Sequence, residues 1–183
     1  MMILRFVLMI TAICPGLLGA AADPQTLAMG FFLEDPEKPS PSPGLEVFIE
    51  GKASYRLGEP VLIRFELRNH TPERMEVLKW GTPLEGKLLR DMFAVELGPH
   101  ATPVPYRGRS VKRGTPTASD FVTLEPKSVL SAEIDLAQGY ALDKPGSYFV
   151  RYRRSVLSYK RHGSVESEMQ AVQSNPIEFI RAP

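Results

Sequence analysis

The chain has 183 residues, 22 basic and 21 acidic side chains, and 43% hydrophobic residues. This suits one globular domain with a real core and is too short for two full domains plus a leader. The balanced charge gives no reason to expect nucleic acid or an anionic membrane as partner.

Residues 1–22 read as a secretory signal peptide. Arg5 precedes the apolar run Phe6-Val7-Leu8-Met9-Ile10, then come Pro15 and Gly16, then the small residues Gly19 to Ala22. A short basic region, a short apolar region and an A-x-A-like site define such a leader, and the run is too short to span a bilayer. Cys14, the single cysteine, falls inside it. The exported domain is therefore expected to stand on its core without disulfides, which fits a bacterial periplasm or secretion from a bacterium. Residues 23–44 include Pro36, Pro39, Pro41 and Pro43 among charges and serines and read as an extended linker.

A folded domain is expected over residues 45–183, and its pattern has period two. Leu45, Val47 and Ile49 alternate with more polar neighbours, as do Val61, Ile63, Phe65 and Leu67. Phe93, Val95 and Leu97 follow, then Leu130, Ala132, Ile134 and Leu136, then Tyr148, Val150 and Tyr152. Met75 to Trp80 reads as a strand of undecided facing, and Ile177 to Ile180 as a closing strand. Residues 166–173 fit either a short helical turn or an irregular loop. Turn residues separate these runs, as in Leu57-Gly58-Glu59-Pro60 and Lys144-Pro145-Gly146. Half-buried strands at this spacing indicate an all-β, immunoglobulin-like antiparallel β-sandwich of about seven strands. Tyr148, opening a strand just after a tight turn, fits either a tyrosine corner or a plain core aromatic.

Catalytic signatures are missing. His70, His100 and His162 are far apart, and none has the helical pairing of a zinc hydrolase. There is no G-x-S-x-G elbow, and no phosphate loop leads a strand into a helix. The expectation is a non-enzyme with no catalytic or metal residues and no cofactor. A composite site of the three histidines is the competing reading.

Two segments carry partner-binding residue types. In Lys79-Trp80-Gly81-Thr82-Pro83-Leu84-Glu85-Gly86, Trp80 either anchors a partner or packs across the core as strand-C tryptophans do. Thr82, Pro83 and Leu84 extend that candidate surface. In the long basic loop from Tyr106 to Pro116, Arg107, Lys112 and Arg113 either face an acidic partner or sit on a solvated loop.

These same stretches carry a resemblance. Tyr55-Arg56-Leu57-Gly58-Glu59-Pro60-Val61, the Trp80 to Gly86 block, Val104 to Gly108, Lys112 to Thr117 and Pro145 to Tyr152 resemble a known region. It is the non-catalytic N-terminal β-sandwich that precedes the zinc domain of deuterolysin-like (aspzincin) metallopeptidases, including the bacterial peptidyl-lysine type. The resemblance spans roughly Leu45 to Ile180. In that family catalysis belongs to a downstream His-Glu-x-x-His domain with a distal aspartate, and these 183 residues contain neither. The resemblance therefore implies a prosegment-like module whose partner is a metallopeptidase that it inhibits or helps to fold. In that role Lys112 would act as a decoy for a lysine-directed pocket. The alternative is a structural or adhesion module of the cell envelope with no protease partner.

Overall fold

The computed structural model describes residues 44–153 and 155–183. All belong to the second of two units into which the chain divides, Met1–Glu34 and Asp35–Pro183. The leader, Cys14 and all of the linker but Gly44 lie outside the described residues. What is described is all-β, with three single turns of 3-10 helix and no α-helix among the described residues. Twelve strands form among the described residues, where about seven were expected. In chain order they are β1 (Leu45–Gly51), β2 (Ser54–Arg56), β3 (Leu62–Asn69), β4 (Met75–Leu78), β5 (Phe93–Leu97), β6 (Thr102–Pro103), β7 (Phe121–Leu124), β8 (Val129–Asp135), β9 (Gly146–Tyr152), β10 (Ser155–Arg161), β11 (Glu168–Val172) and β12 (Ile177–Ala182).

Three sheets result, ordered β1-β3-β8, β11-β10-β4-β7 and β2-β12-β9-β5-β6. All neighbouring pairs are antiparallel except β2 and β12, which run parallel. The alternating residues face inward as the period-two pattern requires. Leu45, Val47 and Ile49 of β1 and Ile63, Phe65 and Leu67 of β3 are buried, as are Tyr148, Val150 and Tyr152 of β9. Phe65 meets Tyr152 with ring centroids 5.2 Å apart, which joins the three-stranded sheet to the five-stranded one. Met75, Val77, Leu124, Leu157 and Val172 carry the same core into the four-stranded sheet. Each such side chain contributes about 1.5–3 kcal/mol when fully buried.

Two corrections follow. Residues 166–173 are neither helical turn nor loop, because Glu168–Val172 is strand β11, paired with β10 through Leu157↔Gln170 and Tyr159↔Glu168. Trp80 does not cross the core. That position belongs to tyrosines and phenylalanines, and Trp80 is only half-buried.

Polar side chains tie the layers where disulfides would otherwise serve. The amide of Gln170 donates to Leu45 O at 2.8 Å and accepts from Leu45 N at 3.2 Å. Asn175 does the same for Ile49, with both distances 2.9 Å. Each amide stands in for a neighbouring strand along the β1 edge, satisfying backbone groups that would otherwise invite another chain. Tyrosines fix the loops. The Tyr148 phenol donates to Lys144 O, four residues upstream, at 2.9 Å, while its ring stacks on Phe179. The Tyr140 phenol donates to Asp91 Oδ1 at 2.7 Å and accepts from Phe93 N at 2.9 Å. Burial, followed by the bond to Asp91, pushes that phenol far above its ordinary pKa, so it remains a neutral donor.

Candidate functional site

The Trp80 to Gly86 block is a compact turn whose residue types follow from its backbone. Gly81 and Gly86 have φ of +73° and +72°, a region where a side chain would be strained. Between them Thr82 caps the 3-10 turn Pro83–Glu85. Its Oγ1 accepts from Leu84 N at 3.2 Å and donates to Lys79 O at 2.7 Å. Pro83 takes the first turn position, where its missing N–H costs nothing. Glu85 reaches back so that Oε2 accepts from Gly81 N at 3.0 Å.

The turn is fastened to the core and to the basic loop. Tyr152 donates its phenol hydrogen to Gly81 O at 2.9 Å. Arg113 forms an ion pair with Glu85 and lies over the Trp80 ring, 5.3 Å from its centroid. The loop from Tyr106 to Pro116 is thus no free excursion. Val111 N donates to Leu89 O at 3.1 Å, and the Tyr106 phenol lies 2.8 Å from both Leu88 O and Arg109 O. On the other side of Trp80, its indole N–H donates to Asp120 Oδ1 at 3.0 Å. Thr117, through its backbone N–H and its hydroxyl, and then Trp80 hold the Asp120 carboxyl below its ordinary pKa.

These contacts leave a groove of about 340 Å³ lined by Trp80, Arg90, Arg113, Glu85 and an apolar floor that includes Val111 and Val156. Two larger hollows are less selective. One, of about 560 Å³, sets Asp91 and Glu96 against Arg151 and Arg153, and Arg153 already lies 3.3 Å from Asp91. The other, of about 470 Å³, contains Arg107 and the buried Arg181. The Arg181 guanidinium is occupied by the carbonyls of Leu142, Arg56 and Glu59 at 2.7–3.0 Å.

Of the residues singled out from sequence, the structure brings Trp80 and Arg113 together. Thr82 and Pro83 are buried and act inside the turn, while Leu84 packs partly against the core. Arg107 lines the other hollow, with its N–H bonded to Gly139 O at 2.7 Å. Lys112 is exposed on the loop, with no ion pair among the described residues. Sequence reasoning missed Arg90 and Val156, which line the groove, and Asp120, Tyr106 and Tyr152, which position it. No motif marks them: Val156 and Tyr152 reach the site on strands β10 and β9, and Arg90, Tyr106 and Asp120 on the segments that connect strands. His70, His100 and His162 lie in three separate connections between strands. His70 pairs with Glu46 at 2.8 Å, and no group of three metal-binding side chains converges among the described residues. No helix among them is long and apolar enough to cross a membrane.

No family model matches the sequence. The chain is 25% identical over 119 residues to a protein described as an extracellular protease from Aeromonas hydrophila. That alignment spans 65% of this chain and 33% of the relative, a distant link to a protease context. Among solved structures, a mutant β-glucosidase from Listeria innocua in complex with laminaribiose aligns over 72% of this chain and 16% of its own. The TM-score is 0.29 at 11% identity.

Proposed function

We propose that this chain is a non-catalytic, exported binding module that docks on a protease, with the Trp80 groove as its docking surface. The observation that carries this reading is the convergence of two distant segments on one groove. The turn after β4 and the basic loop before β7 meet around the only tryptophan of the chain. Aromatic and arginine side chains held rigid on a β-scaffold lose little freedom when a partner binds, which favours them as anchors. The distant similarity to an extracellular protease supports a protease as partner and supports export. The prosegment-like resemblance narrows this to a metallopeptidase that the module restrains or helps to fold, with the exposed Lys112 as the decoy. The strand order and the parallel β2–β12 pairing, together with the Tyr148 bond to Lys144 O, support the immunoglobulin-like form of the sandwich.

The test is a capture experiment from culture fluid and envelope extract, using wild-type protein and Trp80→Ala as parallel baits. A secreted metallopeptidase retained by the first, released by the second and slowed by the pure module is the expected result. Retention of only envelope structural proteins would move the function to adhesion. Stoichiometric zinc in the pure protein would overturn the non-catalytic assignment.

A further inference from the structure

From the charge and floor of the groove we infer that its ligand is an acidic peptide segment carrying an apolar side chain. This rests on the docking reading above and names the chemistry of the partner's contacting segment. The groove is lined by two cations, Arg90 and Arg113, against one carboxylate, Glu85. That carboxylate is paired with Arg113 and accepts a hydrogen bond from the Gly81 N–H. Arg90 lines the groove and has no ion pair among the described residues. Its planar fork of donors suits a carboxylate, and a hydrogen bond to a charged group contributes about 1.5–3 kcal/mol.

The floor supplies the second half of the specificity. Val111 and Val156 are 45% and 59% exposed, and the apolar strip runs on from Val156 to Met169, which is 77% exposed on the same outer face of β10 and β11. A side chain such as leucine laid there would leave water while its acidic neighbours meet the cations. Nucleic acid fits less well. Glu85 stands among the groove's own charges and would repel a phosphate backbone.

Trp80 is the only tryptophan, so its fluorescence reports the groove directly. The purified protein would be titrated with the acetylated pentapeptide Asp-Leu-Glu-Leu-Asp, its charge-inverted form Lys-Leu-Arg-Leu-Lys, and inorganic phosphate. The expected result is a saturable change in emission with the acidic peptide alone. Binding should weaken roughly tenfold in Arg90→Gln, the loss of about 1.4 kcal/mol, and should also weaken at high salt. Arg90 is exposed, so this variant tests the contact and leaves the fold intact. No response to the acidic peptide, an equal response to the basic one, or an equal response to phosphate would each overturn the inference. If a protease is captured through Trp80 but stays bound to Arg90→Gln at high salt, the docking reading stands and the acidic chemistry is discarded. If the acidic peptide binds but no protease is captured, the groove chemistry stands and the protease reading falls.

Discussion

Tyr152 and Trp80 are both large aromatics with a single polar atom, and the fold treats them in opposite ways. Tyr152 lies fully inside, edge-on to Phe93 at 5.7 Å and beside Phe65, with its hydroxyl bonded to Gly81 O. Trp80 lies one residue before that same glycine, half-exposed, with its indole N–H bonded to Asp120 and a guanidinium over its ring. The difference teaches where rigidity comes from in this domain. The interior aromatic fixes the turn, and the surface aromatic is held still without being buried. In the docking reading proposed above, a ring held that way keeps its other face available to a partner.

The comparison breaks first at Tyr152. Tyr152→Ala is expected to cost about 3–5 kcal/mol, through lost burial and a cavity. Tyr152→Phe should cost about 1–3 kcal/mol, because Gly81 O is left unsatisfied. Urea denaturation followed by Trp80 emission measures both, and a neutral Tyr152→Phe would show that the turn stands without its tie to the core. Next come the edge amides. Asn175→Ala and Gln170→Ala each remove two backbone hydrogen bonds from β1, at about 1–2 kcal/mol apiece. The double variant should also associate through the opened edge, which light scattering would detect.

A smaller effect concerns pH. The folded carboxyl of Asp120 titrates below its unfolded value of about 3.9. Its contribution is therefore complete above that value and fades as pH falls toward the lower folded one. Trp80 emission should stay flat from neutral pH to about pH 5 and shift below about pH 4. Asp120→Ala should lack that transition, and a shift retained in this variant would assign it to another group. The smallest effect on stability belongs to Arg113→Gln, about 1 kcal/mol, because the Glu85 side chain, only 9% exposed, keeps the Gly81 N–H as a partner. Its emission should nevertheless change, because the cation leaves the ring. An unchanged spectrum would mean that the stacking is too loose to organise the groove.

The five strands with clean alternation, β1, β3, β5, β8 and β9, were legible because burial on one face writes itself into the sequence, and β4 and β12 were placed without that alternation. β11 was not, and its residues show why. Met169 and Ala171 point outward, whereas Glu168 and Gln170 share the side of Tyr159 and Leu157. The inward polar groups are satisfied by Tyr159 Oη at 2.7 Å and by the backbone of Leu45. A strand whose polar residues face in, each with its own partner, inverts the pattern that hydropathy can detect. β2, β6 and β7 are too short to show any period. At the groove, Trp80 and Arg113 could be chosen by residue type, but the burial of Thr82 and Pro83 follows from the turn they build.

Sequence alone determined the fold class, the strands with a clean face and the two segments rich in binding residues, because these depend on composition and local period. Tertiary structure decided that those segments meet, that Trp80 lies outside the core, and that Arg90 and Val156 join them. Such proximity depends on register between strands far apart in the chain, and no local run of residues records it.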